Sequence, residues 1–129
     1  MQSNDDMQFG LSFFVSGTPV PKQSFVYDGH GRGHCKPETK AWQDTVRVYC
    51  IEAMRLANYE MIAGPVYMDL VFVLPNKRRV DCDNLAKNCM DSCNGLLYKD
   101  DSQIHKLTVS KIYVGEPGVH ITARPLVSS

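Results

Sequence analysis

The sequence contains no apolar run that could cross a bilayer, and its beginning has little of the character of a secretory signal. The strongest apolar stretch, Leu70 to Pro75, is far shorter than the roughly 20 residues that a membrane-spanning helix needs. Met1 to Gly10 is mostly polar and lacks the basic start and apolar segment of a signal peptide. We therefore expect a cytosolic protein without a membrane partner.

Cysteine is too sparse and too irregular for a disulfide framework or an ordinary zinc site. The chain has five cysteines, and no two of them form a Cys-x-x-Cys pair. His30, His34 and Cys35 are close enough in sequence to suggest a metal site, but a loop without metal is the simpler interpretation. Reduced thiols are the expectation for a cytosolic protein.

Net charge is also missing, because 14 basic residues balance 14 acidic ones. A neutral total at first argues against a nucleic-acid partner. The distribution changes this view, since five acids fall within 21 residues: Asp81, Asp83, Asp91, Asp100 and Asp101. Basic residues gather in other segments: Lys22, Arg32, Lys36 and Lys40, then Lys77, Arg78 and Arg79. If the acids hold a divalent cation, the remaining surface is basic enough to bind a phosphate backbone.

The length of 129 residues and the 43% hydrophobic content predict one domain over residues 1–129, with residues 1–9 as a flexible extension. Strands are predicted at Leu11 to Ser16, Val66 to Leu74, Ile104 to Val114 and Val119 to Ala123. The Gly- and Pro-rich segment from Gly17 to Pro37 is predicted to be a long loop. The order β-α-β-α-β-β predicts an α/β or α+β fold, with a mixed sheet of about four strands packed with two main helices.

Both helices have identifiable limits. The first is predicted from a cap at Thr39 to about Asn58, with a buried stripe of Trp42, Val46, Tyr49, Ala53 and Leu56. The second is predicted from a cap at Asp83 to the turn at Asn94-Gly95. The apolar pattern of the third strand changes phase, which predicts a bulge or twist near Ser110.

The acids between Asp81 and Asp101 carry the chemical information. Asp81 and Asp83, separated by one residue at the end of an extended segment, can reach the same ion, and Mg²⁺ prefers oxygen ligands. On the second helix, Asp83, Lys87 and Asp91 recur every four residues and share one face. Lys87 is thus placed to stabilise charge on a phosphate. Acids from two chain segments around a divalent metal are the usual means of activating water against a phosphodiester.

Each of these residues has an ordinary structural interpretation when taken singly: a helix cap for Asp83, a solvated position for Lys87 and a turn for Asp100-Asp101. An EF-hand calcium loop is the competing metal interpretation. It fails because no glycine occupies the sharp-turn position and no glutamate occupies the twelfth position of the loop.

From Asp81 through Ile104 the sequence reads DCDNLAKNCMDSCNGLLYKDDSQI. This segment resembles the signature of the RusA-type Holliday junction resolvases of bacteria and their phages, which is Asp-x-Asp-Asn-Leu-x-Lys, an Asp four residues on, an Asn-Gly-like turn and Asp-Asp. A weaker similarity covers Gly17-Thr18-Pro19, Pro21-Lys22, Lys40 and Trp42. The resemblance therefore extends over most of the chain.

The resemblance implies a homodimer that binds four-way DNA junctions and nicks two strands symmetrically with Mg²⁺, for which Mn²⁺ could substitute. By the matching positions, Asp81, Asp83 and Asp101 are the metal-binding aspartates. Lys87 is the catalytic lysine, and Asp91 and Asp100 have supporting roles.

The chain departs from the family pattern after Lys22, where Gln23 to Val26 replaces a basic segment. Junction contacts are therefore expected from basic residues elsewhere: Lys22, Arg32, His34, Lys36, Lys77, Arg78 and Arg79. Two alternatives stay open at this point. One is a metal-dependent nuclease for flaps or replication forks, and the other is a branched-DNA-binding protein that does not cut.

Overall fold

The computed structural model describes residues 10–22, 26–27, 33–34, 36–77 and 80–126. The predicted extension over residues 1–9 lies outside them. The elements in chain order are β1 (Leu11–Ser16), β2 (Val26–Tyr27), β3 (Gly33–His34), α1 (Pro37–Ala57), β4 (Val66–Val73), α2 (Cys82–Ser92), β5 (Ile104–Ile112) and β6 (Gly118–Pro125). A 3₁₀ turn at Asp101–Gln103 precedes β5. The predicted order of main elements is confirmed, and the predicted loop contains the short β2–β3 hairpin.

The main sheet has four strands in the order β1-β6-β4-β5. The pairs β1–β6 and β6–β4 are antiparallel, whereas β4 and β5 are parallel. A parallel pair needs a crossover connection, and the chain supplies it with α2. The mixed four-stranded sheet with two helices confirms the predicted α+β fold.

Alternation along β4 separates the two faces of the sheet. Val66, Met68, Leu70 and Phe72 are fully buried and join one core cluster with residues of both helices. The residues between them point to the other face and are half-buried at 67, 69 and 71. We call this second surface the open face: it consists of Tyr67, Asp69 and Val71 of β4 and their pairing partners in β5 and β6. Both described helices therefore cover one side of the sheet.

The buried stripe of α1 differs in part from the prediction. Trp42, Val46 and Cys50 are buried, but Tyr49 is 38% exposed and Leu56 is 72% exposed. Cys50 lies four residues after Val46, so it continues the same helical face, and Tyr49 points about 100° away from it. The predicted stripe is therefore wrong at Tyr49 and Leu56, and it omitted Cys50, whose small side chain is buried in the core.

Among the helices that the structure describes, none has the length and hydropathy that a membrane-spanning segment requires.

Both helices begin earlier than predicted, because the N-cap lies three residues earlier in α1 and two residues earlier in α2. In α1, Pro37 occupies the first turn, where its fixed φ favours a helix start, and Thr39 is a buried residue inside the helix. In α2, Asp81 rather than Asp83 is the N-cap, and its carbonyl accepts the first helical hydrogen bond from the Leu85 N–H at 3.1 Å. Asp83 therefore lies in the first turn.

The irregularity in β5 lies near its beginning and not at Ser110, where the sequence had placed it. Val66 pairs with Ile104 and the next residue, Tyr67, pairs with Lys106, so His105 is the extra residue. From Lys106 to Ile112 the register continues without a shift. The change of phase in the sequence arises because Ile112 belongs to the open face and Val114, 82% exposed, lies beyond the strand.

A buried amide attaches α2 to the rest of the domain. The side chain of Asn88 is fully buried, its Oδ1 accepts from Gln43 Nε2 of α1 at 2.7 Å, and its Nδ2 donates to the Val20 carbonyl at 2.9 Å. Both polar ends of this side chain are thus satisfied inside the core. Asn88 joins α2 simultaneously to α1 and to the segment that follows β1.

Replacing Asn88 with Ala should destabilise the fold by about 1–3 kcal/mol, because the partly buried Val20 carbonyl and Gln43 amide would lose their partner. Urea unfolding followed by circular dichroism measures this difference. The control is K40A, which removes one partner of the exposed Lys40–Asp44 pair and should cost less than about 1 kcal/mol. Equal midpoints for N88A and K40A would contradict the role given to Asn88.

Candidate active site

The outward face of α2 carries three of the predicted site residues. Asp83 and Lys87 are exposed, and Asp91, at the same helical spacing, is half-buried. Asp81 precedes them as the N-cap and is exposed, and its carboxylate makes no capping hydrogen bond. The positive end of the helix dipole favours carboxylates at this position. Asp81 and Asp83 therefore form an accessible acidic pair at the start of α2.

Lys22 lies against this face of α2 and is held at two points. Its backbone N–H donates to the Asn84 carbonyl at 2.9 Å, and its Nζ forms an ion pair with Asp91 Oδ2. The sequence assigned Lys22 to DNA contacts, and the structure places its ammonium at an acid of the candidate site. The predicted segment Gly17 to Pro37 therefore contributes directly to the site through Lys22.

Asp101 joins Asp91 at the other end of α2. Two causes raise the pKa of Asp101 above its usual range: partial burial, which is the larger, and a hydrogen bond shared with Asp91. Asn94 Nδ2 donates to Asp101 Oδ2 at 3.3 Å and acts in the opposite direction. The buried Oδ1 of Asn94 has no hydrogen-bond partner within the described part of the chain. The two carboxylates are thus held closer than their charges alone favour.

The turn that carries Asn94 is fixed from both sides. Arg47 of α1 donates through Nη1 to the carbonyls of Ser92 at 2.9 Å and Asn94 at 3.0 Å. Gly95 has a φ of 77°, a left-handed conformation that favours glycine, and its N–H donates to the Tyr98 carbonyl at 2.7 Å. A guanidinium bound to the carboxyl end of α2 also complements the helix dipole. This turn consequently holds Asn94 and the chain that follows it in one position, with Asp101 next to Asp91.

Asp100 has a structural role next to the site. Its side chain accepts from the Ser102 N–H at 2.9 Å, and Gln103 Oε1 accepts from the Asp100 N–H at 3.2 Å, which completes a capping box. Hydrogen bonds from Ser102 lower the pKa of Asp100. Gln103 Nε2 also donates to the Ile62 and Gly64 carbonyls. Asp100 therefore orients the turn on which its neighbour Asp101 lies.

The acids of one chain form two separate groups. Asp81 and Asp83 lie at the start of α2, while Asp91 and Asp101 lie at its end. Asp83 and Asp91 are about 12 Å apart along the helix axis, at 1.5 Å per residue. Within the described ranges, no three or more His, Cys, Asp and Glu side chains are grouped closely enough to hold a metal ion. The predicted ion shared by Asp81, Asp83 and Asp101 thus has its ligands divided between the two groups.

The predicted DNA-binding residues are described only in part. Lys36 is half-buried at the N-cap of α1, and Lys77 is exposed in the segment before α2. Arg32, Arg78 and Arg79 lie outside the described residues. Asn94 and Arg47 were not assigned to the site from the sequence, because their contacts with Asp101 and with the end of α2 are set by tertiary structure.

Removing the charge of Asp101 should stabilise the chain in the absence of metal. Because the pKa of Asp101 is raised, the folded chain binds this proton more tightly than the unfolded chain does. The stabilising contribution of Asp101 is therefore fully present only below its unfolded pKa of about 4, and it is lost as the pH rises through its folded pKa. In D101N an amide can donate to Asp91, so its unfolding temperature in EDTA at pH 7 should exceed that of the parent.

Differential scanning calorimetry of both proteins between pH 3 and pH 7 measures this difference, which should shrink toward the acidic end. D44N removes an exposed carboxylate of α1 that is paired with Lys40, and it should not raise the unfolding temperature. An unchanged or lower value for D101N at pH 7 would contradict the crowding of Asp91 and Asp101.

Comparison with known proteins places these residues in a family. The family model described as endodeoxyribonuclease RusA matches residues 16–124. The "Uncharacterized protein YqaN" of Bacillus subtilis (strain 168) is 35% identical, over 88% of this chain and 95% of that protein. The protein named "Crossover junction endodeoxyribonuclease RusA" of Aquifex aeolicus (strain VF5) is 27% identical, over 92% of this chain and 94% of that protein. The match to the family model includes both acid groups, and the chain belongs to the endodeoxyribonuclease RusA family.

Proposed function

We propose that this chain is a divalent-metal-dependent endonuclease that resolves four-way (Holliday) junctions by paired symmetric nicks in DNA recombination and repair. Membership of the RusA family makes it an endodeoxyribonuclease, a nuclease that hydrolyses DNA. The observation that carries the finer proposal is the arrangement of exposed acids and Lys87 along one face of α2, with Asp101 brought to Asp91. These are the residue types that bind a cation and a phosphodiester together.

The donor set fits a hard divalent cation. Carboxylates are the preferred ligands of Mg²⁺, and the crowding of Asp91 and Asp101 is the arrangement that a nearby cation relieves. The buried Oδ1 of Asn94, which has no hydrogen-bond partner among the described residues, is one more oxygen donor next to Asp101. We assign Asp81, Asp83 and Asp101 as the ligands of Mg²⁺, with Mn²⁺ as a possible substitute. When bound, the ion lowers the pKa of a water and offsets charge on the phosphate.

The chain's own cations complete the chemistry. Lys87 lies one helical turn from Asp83 and one from Asp91, so its exposed ammonium can contact the scissile phosphate and stabilise the charge that develops there. Lys22 offsets the charge of Asp91 and keeps that carboxylate oriented. Contacts with the DNA arms are assigned to basic residues around the site: Lys22, Arg32, Lys36, Lys77, Arg78 and Arg79.

The separation of the two acid groups supports a homodimer. Two carboxylate oxygens on one Mg²⁺ lie within about 4 Å of each other, because each binds at about 2.1 Å. About 12 Å of helix separate Asp83 from Asp91, and Asp101 lies at Asp91, so Asp83 and Asp101 of one chain do not meet this condition. We infer that the Asp81–Asp83 pair of one protomer and Asp101 of its partner serve the same phosphodiester. A two-fold dimer then has two equivalent sites, as paired nicks require.

Two other functions make different predictions. A flap or fork nuclease would use the same acids but would cut branched DNA with one nick. A non-cleaving binder would hold junctions equally well with or without Mg²⁺ and would leave them intact. The acids and Lys87 are all present, which favours a nuclease over the binder.

The proposal is tested with labelled four-way junctions, flaps, forks and linear duplexes of the same length, each incubated with Mg²⁺, with Mn²⁺ or with EDTA. We expect symmetric nicks in the four-way junction with either metal and no product in EDTA. Preferred cleavage of flaps would select the alternative nuclease. Intact junctions at every metal concentration would contradict the nuclease proposal as a whole.

Junction cleavage should require each of the three proposed metal ligands. D81N, D83N and D101N should each lower junction cleavage at least about 100-fold, the loss typical of a group that stabilises charge at the reacting centre. Junction binding should persist, because it rests mainly on basic residues. The matched control is D44N, which changes an exposed aspartate of α1 that is paired with Lys40 and belongs to neither acid group, and it should cut at the parental rate. Circular dichroism checks that each variant is folded, and a D83N protein with near-parental activity would remove Asp83 from the site.

A further inference from the structure

The open face of the sheet carries a tyrosine between two cations. Tyr67 of β4 pairs with Arg124 of β6 on one side and with Lys106 of β5 on the other. The Arg124 Cζ lies 4.6 Å from the centroid of the Tyr67 ring, and the Lys106 Nζ lies 5.4 Å from it. Both cations are exposed, whereas Tyr67 is half-buried. Three neighbouring strands therefore contribute one row, which we call the Tyr67 row.

The bulge at His105 is what brings Lys106 into this row. Side chains alternate along a strand, so an unshifted register would place His105 opposite Tyr67 and turn Lys106 toward the helices. The extra residue reverses this order and directs Lys106 onto the open face. Bulges are known to redirect side chains in this way and are common near functional sites. The position of Lys106 is thus a consequence of a specific backbone irregularity.

The environment of the Tyr67 row is favourable for an anion. The next row of the open face contains Asp69 between Thr122 and Thr108, and Asp69 is half-buried while the two cations are exposed. The Tyr67 hydroxyl shares a hydrogen bond of 3.1 Å with Thr108 Oγ1 of this next row, and the bond restrains the orientation of the ring. In these two rows of the open face, the exposed charged side chains are therefore both cations, Lys106 and Arg124.

The Tyr67 row lies at the same end of the sheet as Asp101. Lys106 follows Asp101 by five residues, which span at most about 17 Å of chain even when fully extended. Tyr67 lies near the beginning of β4, and α2 ends at this same edge of the sheet because it runs back across the sheet from the carboxyl end of β4. The row lies on the face of the sheet opposite α2, so a DNA strand that leaves the Asp91–Asp101 group reaches it by passing around the edge strand β5.

We propose that Arg124 and Lys106, oriented by Tyr67, bind backbone phosphates of a DNA arm that extends from the cleavage site. This inference rests on the proposed function and adds a surface to it. Because both cations lie over the Tyr67 ring, the ring orients them, and they block a DNA base from stacking on it. Phosphates match two exposed cations in charge, and contacts to them carry no sequence information. The row thus positions an arm without selecting its sequence.

The test is the salt dependence of junction binding by the double variant K106Q/R124Q, measured by fluorescence anisotropy in EDTA. Each phosphate contact contributes about 0.9 to the slope of log affinity against log salt. The variant should therefore lose about 1.8 from this slope, so that raising salt from 50 to 200 mM costs it about tenfold less affinity than it costs the parent. Each single variant should lose about half of this slope.

The control is K40Q/R55Q, which removes two exposed cations from α1 and changes the net charge equally. Its slope should match that of the parent. An unchanged slope for K106Q/R124Q would overturn the proposal and leave the cations as stabilisers of the sheet. Equal losses in both double variants would also overturn it, as would a loss of dimer mass in light scattering, which would assign the row to a second copy of the chain. A parent that binds junctions but never cuts them would contradict the proposed nuclease without affecting this slope.

Discussion

The position of α2 depends on the buried amide of Asn88, which hydrogen-bonds to α1 and to the segment after β1 simultaneously. A hydrogen bond contributes only about 1 kcal/mol net, but an unsatisfied amide in the core costs more, so the amide specifies one orientation of the helix. With Asn88 turned inward, the face that contains Asp83, Lys87 and Asp91 must point outward. Arg47 then fixes the end of the same helix through two carbonyls.

Charge crowding at the end of α2 is the second physical constraint. Asp91 and Asp101 share a hydrogen bond, and the pKa of Asp101 is raised, although Lys22 and Asn94 both offer compensating contacts. An arrangement of this kind lowers the stability of the chain on its own, and the cation of the proposed function would relieve it. Active sites commonly show this conflict between stability and function.

The sequence predicted much of the fold because the decisive signals are local. The period of β4, the helical spacing in α2 and the Gly-Pro break before β4 each act within a few residues of chain. The predicted helix starts were late by three residues in α1 and by two in α2, where Asp81 and Asp83 are both plausible caps and the choice depends on the backbone. The bulge at His105 could not be predicted from the sequence, because the register of β5 is set by its parallel pairing with β4 across a long crossover.

The candidate site was predictable in its residue types and only partly in its geometry. The block around Asp83 and Lys87 identifies the acids, and a helix places them on one face. The contact of Lys22 with Asp91 joins residues 69 positions apart, and the turn at Gly95 decides that Asp101 meets Asp91 rather than Asp83. Both contacts are tertiary, so the division of the acids into two groups became visible only in the structure.

Complementation between two inactive variants tests most directly whether the two acid groups act together across a homodimer. D83N and D101N, each inactive alone, are mixed, allowed to exchange subunits, and incubated with a four-way junction and Mg²⁺. If the acids of different protomers share one phosphodiester, each mixed dimer keeps one intact site, and the mixture should nick the junction. A mixture that stays as inactive as its components, although a purification tag on one of the two variants shows that mixed dimers have formed, would contradict this account.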